Sequence, residues 1–61
     1  MEEREGTITS AANLKLRDSI NGEEYSFINP ANITIGDGYI AIYITINTPN
    51  KVIRVVREIK L

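Results

Sequence analysis

The sequence predicts an all-β fold in which five antiparallel strands form a meander that curls into a small barrel. Apolar residues recur at every second position through several segments, which is the period of a strand with one buried face. The dipeptides Asn21-Gly22 and Asp37-Gly38 separate such segments, and both accept the positive φ angles of a type I′ hairpin turn. Short loops between consecutive strands are typical of a meander, and curling removes the exposed edges of its sheet.

The N-terminal end differs in composition from the rest of the chain. Residues 1–6 are charged and have no apolar stripe, so we expect an acidic head that frays. Residues 7–61 then form a single small β-barrel domain. The parity of apolar residues from Thr7 to Asp18 predicts one strand, bent at the small residues 10–12. Two short strands joined by a loop are the alternative for this segment.

The second strand is predicted from the first turn signal. A two-residue loop at Asn21-Gly22 would pair Leu16 with Phe27, which places an apolar residue opposite another. The segment from Glu23 to Asn29 is then a strand that returns along the first one.

The strongest alternation in the chain follows the second turn signal. One parity holds four isoleucines, which are Ile40, Ile42, Ile44 and Ile46. The other parity holds Tyr39, Ala41, Tyr43 and Thr45. A two-residue loop at Asp37-Gly38 would pair Ile35 with Ile40 and Ile33 with Ile42, so we expect a hairpin whose isoleucines face the core.

The last segment, Val52 to Leu61, fits two patterns. Its valines and isoleucines favour a strand, and the turn predicted at residues 48–51 directs it back along the fourth strand. Arg57 falls on the apolar parity, so we expect a bulge or a single helical turn near Val56 to Glu58. The alternative architecture is an open sheet that dimerises through its isoleucine face and carries a C-terminal helix.

The number of predicted strands is similar to that of SH3-like, Sm-like and OB-like barrels. The resemblance concerns architecture alone, and the chain contains no motif of those families. No functional residue can therefore be transferred from them. The sequence predicts a small SH3-like or OB-like barrel, and the resemblance implies no activity.

Composition excludes most catalytic chemistry. The chain has no cysteine and no histidine, so Ser10, Ser19 and Ser26 lack the usual activating base and zinc lacks its preferred ligands. Glycine-rich phosphate loops and calcium loops are also missing from the sequence, and we expect no cofactor and no metal. Without a long apolar run or a signal-like start, we expect a cytoplasmic protein if it is natural.

One candidate ligand-binding patch follows from the predicted pairing of the last two strands. If Thr45 lies opposite Arg54 and Tyr39 lies opposite Lys60, then Tyr39, Tyr43, Arg54 and Lys60 share the outer face. Aromatic rings beside cations hold single-stranded nucleic acid, and peptides dock on aromatic grooves. Exposed tyrosines, lysines and arginines are also ordinary on strand surfaces, and the net charge of −1 gives no field for nucleic acid.

The function expected from the sequence is a compact, stably folded scaffold without catalytic activity. The agreement between turns and strand register, and the absence of cysteine, histidine and tryptophan, fit a de novo designed protein without evolved function. The alternatives are a natural interaction or oligomerisation module, with a second copy of the chain as partner, and a binder of single-stranded nucleic acid or peptide.

Overall fold

The computed structural model describes residues 2–60. Met1 of the predicted acidic head and Leu61 of the predicted last strand lie outside this range. Within this range the chain forms five strands and no helix, so it has no helix that is long and apolar enough to cross a membrane. The strands are β1 (Glu3–Ser10), β2 (Lys15–Asp18), β3 (Glu24–Ser26), β4 (Ile40–Asn47) and β5 (Val52–Lys60). The predicted all-β class is confirmed.

The five strands form one antiparallel sheet in the order β3-β2-β1-β4-β5. The first three strands follow one another, and β4 then returns to lie beside β1, which is a Greek-key connection. An isolated parallel bridge between Ile28 and Val55 brings the two outer strands of the sheet together. The strongly curled sheet is thus a partly open Greek-key barrel, the form that OB-like barrels take, rather than a plain meander.

The N-terminal segment that was expected to fray belongs to β1 from Glu3 onward. Glu3 pairs with Ile44 and Glu5 with Ile42, because β4 supplies a partner strand at this edge. Further along, residues 11–14 form a turn instead of a bend within one long strand. The alternative of two short strands is therefore the correct one, and Leu14 takes a left-handed φ of 56° at the end of the turn.

Gly6 lies in the part of β1 that is paired on both sides. A Cβ atom at this position would lie 2.8 Å from the Arg17 carbonyl oxygen, a backbone atom that cannot move aside without disturbing β2. Close approach of this kind is available only to glycine. Gly6 therefore allows β1 to take part in both walls of the curled sheet.

The pairing of β2 with β3 differs from the predicted register. Leu16 lies opposite Tyr25, and the predicted partner Phe27 lies two residues further on. The loop is longer than two residues because the Asp18 carboxylate accepts hydrogen bonds from the backbone N–H groups of Ile20 and Asn21. This side-chain bonding replaces the expected two-residue turn.

The predicted isoleucine hairpin is wrong. Residues 33–39 do not form a strand, and Asp37-Gly38 forms a turn that returns to β1, where Gly38 N–H donates to the Ile8 carbonyl oxygen at 2.7 Å. The Asp37 carboxylate also accepts a hydrogen bond from the Ala11 N–H at 2.7 Å. A turn is present at the predicted dipeptide, but Asp37 lacks the positive φ of the predicted type I′ turn, and the turn bonds to β1 and to the β1–β2 turn rather than closing a hairpin.

The inner face of β4 is the opposite of the predicted one. Ala41 and Tyr43 are buried in the core, whereas Ile40 and Ile46 are each 39% exposed on the outer face. Ile44 is buried, but it does not belong to the core cluster that contains Ala41 and Tyr43. Ala41 is small enough to lie inside the barrel opposite Gly6, and the inward Tyr43 hydroxyl donates a hydrogen bond to the buried Asp18.

The prediction for β5 is confirmed. The segment is a strand, and the helical alternative is wrong for the described residues. Its pairing with β4 shifts between Ile42, opposite Glu58, and Tyr43, opposite Val56, so Arg57 is the extra residue of a bulge. The preceding turn is closed by a hydrogen bond from Thr48 N–H to the Lys51 carbonyl oxygen at 2.8 Å.

The core fills one end of the barrel. The buried cluster consists of Ile8, Leu16, Phe27, Ala41, Tyr43 and Val56. Partly buried residues pack against it, and these are Ala11, Leu14, Tyr25, Ile35 and Ile59. The opposite end, where β1 and β5 begin and β4 ends, is lined mainly by polar side chains and contains a cavity.

Conservative substitutions distinguish the inner from the outer face. We expect Ile8→Val to lower the free energy of unfolding by about 1 kcal/mol, because it removes a methyl group from a packed site. Ile46→Val should change it by less than about 0.5 kcal/mol, because that side chain is on the outer face. Urea unfolding of both variants measures this difference, and a larger loss for Ile46→Val would contradict the observed orientation of β4.

Candidate binding site at the barrel mouth and seam

The open end of the barrel contains a cavity of about 490 Å³, which we call the mouth. Its lining residues come from the start of β1, the end of β4, the start of β5 and strand β3. They are Glu2, Arg4, Tyr25, Tyr43, Thr45, Asn47, Val52 and Arg54. A volume of this size is within the range of small-molecule sites.

Arg4 and Tyr43 form the floor of the mouth, and beneath them lies a buried charge network centred on Asp18, which is 0% exposed and does not itself line the cavity. The Tyr43 hydroxyl donates a short hydrogen bond to Oδ2 of Asp18. Arg4 donates from Nη2 to Oδ1 at 3.1 Å, and its Nε lies 3.1 Å from Oδ2. With the backbone N–H groups of Ile20 and Asn21, at 2.8 and 3.2 Å, the carboxylate is held by donors from three parts of the chain.

Strand register explains why these side chains meet. Gly6 in β1 lies opposite Asp18 of β2 on one side and opposite Ala41 of β4 on the other. Two residues earlier on the same inward parity, Arg4 lies opposite Tyr43. Since glycine and alanine leave space between them, the longer side chains of Arg4 and Tyr43 can reach the carboxylate.

The network shifts the pKa of both titratable partners. Burial by itself would raise the pKa of Asp18, but the hydrogen bonds from Tyr43, Ile20 and Asn21 and the charge of Arg4 outweigh it and hold the pKa below its ordinary value. Burial and the hydrogen bond to Asp18 raise the pKa of Tyr43 far above its ordinary value. Asp18 is thus a carboxylate, and Tyr43 is a neutral donor, across the physiological range of pH.

The rim of the mouth is formed by an arginine stacked on a tyrosine. The guanidinium carbon of Arg54 lies 3.6 Å from the centre of the Tyr25 ring, which is a cation–π contact between β5 and β3. Within residues 2–60 the two ion pairs are Arg4–Asp18 and Lys60–Glu5, so Arg54 has no carboxylate partner there. Its N–H donors are available to a ligand.

A groove adjoins the mouth along the line where β3 and β5 approach each other, which we call the seam. Its volume is about 260 Å³. The lining residues are Ser26, Phe27, Ile28, Lys51, Val52, Ile53 and Arg54. Arg54 and Val52 line both the mouth and the seam.

The backbone along the seam has unpaired strand edges. Ile28 N–H donates to the Arg54 carbonyl oxygen at 2.8 Å, and Val56 N–H donates to the Ile28 carbonyl oxygen at 3.1 Å. Because the backbone groups of alternate residues in a strand point to the same side, Ser26 and Val52 also turn theirs towards the seam. In the described chain the parallel ladder stops at the one bridge, so these edges face the groove without a partner.

The structure does not bring the four predicted patch residues together. Tyr43 and Arg54 line the mouth on the inner face, and the predicted pairing of Thr45 with Arg54 is present. Tyr39 packs against Gly36 in the segment before β4.

Lys60 is displaced from the predicted pairing as well. It lies opposite Ile40 rather than Tyr39, because the bulge at Arg57 shifts the register, and its ammonium is 3.5 Å from the Glu5 carboxylate. Of the four predicted residues, Tyr43 and Arg54 therefore share the mouth, whereas Tyr39 and Lys60 lie elsewhere on the barrel.

Sequence reasoning missed Arg4, Asp18 and Tyr25 as site residues. One signal was present, since Asp18 continues the apolar parity of Leu14 and Leu16. A carboxylate on the buried face of a strand requires donors inside the core. The identity of those donors depends on strand order, which the sequence did not reveal.

Comparison with known proteins yields no relative. A scan against protein-family models and searches of the curated proteins and of the solved structures all find no match to this chain. The functional inference is therefore drawn from the geometry of the mouth and the seam.

The buried carboxylate makes stability depend on acidity. Because the pKa of Asp18 is lowered by folding, its contribution is present above the unfolded-state value of about 4 and is lost as the pH falls through the lowered value. We expect the free energy of unfolding, measured with urea, to fall as the pH drops below about 4. Asp18→Asn should cost about 3 kcal/mol at pH 7 and progressively less in acid.

An exposed carboxylate serves as the control for this measurement. Glu23→Gln changes the charge by the same amount outside the network, and its cost at pH 7 should be within about 0.5 kcal/mol of zero. An Asp18→Asn variant that is as stable as the parent at pH 7 would show that the network does not hold the fold.

Proposed function

We propose that the protein is a non-catalytic interaction module that binds an extended peptide along the seam. The observation that carries this proposal is the pair of unpaired strand edges that face one apolar groove. Extended peptides bind in this way when their backbone pairs with an exposed edge and their side chains occupy adjoining pockets.

The side chains of the seam suit a peptide with an apolar residue and a negative charge. Ile28 is 46% exposed and Val52 is 49% exposed, and both line the groove above the buried Phe27. Lys51 and Arg54 supply two positive charges, and no carboxylate is among the lining residues. An acidic side chain or a terminal carboxylate would find complementary charge there.

The chemistry of the mouth supports binding rather than catalysis. Asp18 is the carboxylate beneath the floor, and its lone pairs are already engaged by Tyr43, Arg4 and two backbone donors. A saturated carboxylate with a lowered pKa is a poor general base. The sequence offers no histidine or cysteine that could take over the role.

Nucleic-acid binding is less well supported than peptide binding. Single-stranded nucleic acid requires open aromatic faces, but Tyr43 is 1% exposed and the Tyr25 ring is covered by Arg54. Two acidic residues are also present there, since Glu23 precedes β3 and Glu24 is its first residue. The tyrosine and cation patch expected from the sequence thus has no continuous surface for stacked bases.

Fluorescence anisotropy with a synthetic peptide tests the proposal. The probe is a labelled peptide of alternating valine and threonine with one central glutamate, and its competitor is the same peptide with methylated backbone nitrogens. We expect saturable binding of the first and no binding of the second, because methylation removes the donors needed for strand pairing. Ile28→Ser and Lys51→Gln should each weaken binding about fivefold or more.

Matched controls lie elsewhere on the surface. Ile20→Ser is the control for Ile28→Ser, because Ile20 is 75% exposed in the β2–β3 loop. Lys60→Gln is the control for Lys51→Gln, because it removes a lysine charge at a distance from the seam. Neither should change peptide affinity. No binding of the peptide at low salt would favour a scaffold without a ligand, and tighter binding of a labelled single-stranded oligonucleotide would favour the nucleic-acid alternative.

A further inference from the structure

We propose that the mouth is a second site, which shares Arg54 and Val52 with the seam and binds a compact ligand through an oxyanion group, either a phosphate or a carboxylate. This inference goes beyond peptide binding at the seam, since it concerns another cavity and another ligand class. It is based on the composition of the lining, in which four side chains can donate hydrogen bonds and only one, at the rim, is a carboxylate.

The first donor is the guanidinium of Arg54. It is stacked on Tyr25 at 3.6 Å, and stacking fixes the plane of the group while its N–H bonds remain directed to the sides. Arg54 takes part in neither ion pair of the described chain. A planar, pre-oriented guanidinium is suited to bidentate recognition of a phosphate or carboxylate.

The second donor is Arg4, which is held in place from below. Its Nη2 donates to Oδ1 of Asp18 at 3.1 Å, and its Nε lies 3.1 Å from Oδ2 without making a hydrogen bond, so the ion pair neutralises the charge of Arg4. An arginine carries five N–H bonds, so Arg4 retains donors for the cavity that it lines. Because Asp18 is saturated by Tyr43 and backbone donors, it has little capacity to compete for a ligand.

Two neutral groups complete the donor set. Thr45 and Asn47 are on the inward parity of β4 and line the mouth, and the hydrogen bonds of the floor do not involve them. Both can donate to an oxyanion. The one acidic residue among those that line the mouth is Glu2, which is exposed at the rim.

Charge and size together define the ligand class. The floor is electrically balanced by the Arg4–Asp18 pair, so the rim charges decide the sign, with Arg54 favouring an anion and Glu2 opposing it. Val52 and the Tyr25 ring add an apolar wall beside these groups. A volume of about 490 Å³ accommodates a small organic phosphate or carboxylate.

The test is an NMR titration of the labelled protein with inorganic phosphate, phenyl phosphate and benzoate, each against sodium chloride of equal ionic strength. We expect saturable shifts of the Thr45, Asn47 and Arg54 backbone amides with the oxyanions and none with chloride. Stronger binding of phenyl phosphate would identify a phosphate ligand, and stronger binding of benzoate would identify a carboxylate ligand.

Substitutions assign the binding to the mouth. Arg54→Gln should weaken it about tenfold or more, and Thr45→Val about threefold, because each removes donors to the anion. Glu2→Gln should strengthen binding, since it removes the opposing charge. Arg57→Gln, which removes an arginine charge from the exposed bulge, is the matched control and should have no effect.

Several results would overturn the proposal. These are shifts that do not saturate, shifts that chloride reproduces, or an Arg57→Gln variant that weakens binding as much as Arg54→Gln does. Ile28→Ser separates the two sites, because it alters the seam alone. Oxyanion binding that persists in this variant while peptide binding is weakened would support both sites, whereas a parent protein that binds the oxyanion but not the peptide would support the mouth and refute the seam.

Discussion

A carboxylate without contact to water is the constraint on which the rest of this barrel depends. Asp18 is fully buried, and burial of a charge costs several kcal/mol unless donors replace the lost hydration. Arg4 comes from β1, Tyr43 from β4, and two backbone N–H groups from the β2–β3 loop. These groups meet only if β1 lies between β2 and β4, so the charge network and the Greek-key order require each other.

Local features of the chain were predictable, and their long-range partners were not. The β class, the bulge at Arg57 and the turn at residues 48–51 follow from short-range chemistry, and all three are present. Hydrophobicity alone does not determine which face of β4 is buried. The isoleucines on one parity and Ala41 with Tyr43 on the other are both compatible with the buried face of a strand. Asp18, a distant residue in sequence, decides between them. The mouth was missed for the same reason.

The uneven filling of the barrel explains where ligands are proposed to bind. Apolar residues pack one end, whereas the floor at the other end consists of charged and hydroxyl groups that do not fill the space above them. At the seam, the sheet closes through a single bridge, and the Arg54–Tyr25 stack joins β3 and β5 where ladder hydrogen bonds are missing. Openness at both places is a consequence of how the sheet closes, and it leaves backbone edges and donors available.

The protonation state of Tyr43 tests the inward arrangement most directly. Carbon-13 NMR of the ring carbon that bears its hydroxyl, assigned with Tyr43→Phe, can be followed through an alkaline titration of the folded protein. We expect Tyr43 to remain protonated well above pH 10, because its hydroxyl is buried and donates to Asp18. Ionisation of Tyr43 near its ordinary pKa of about 10 in the folded state would place it at the surface and contradict this account.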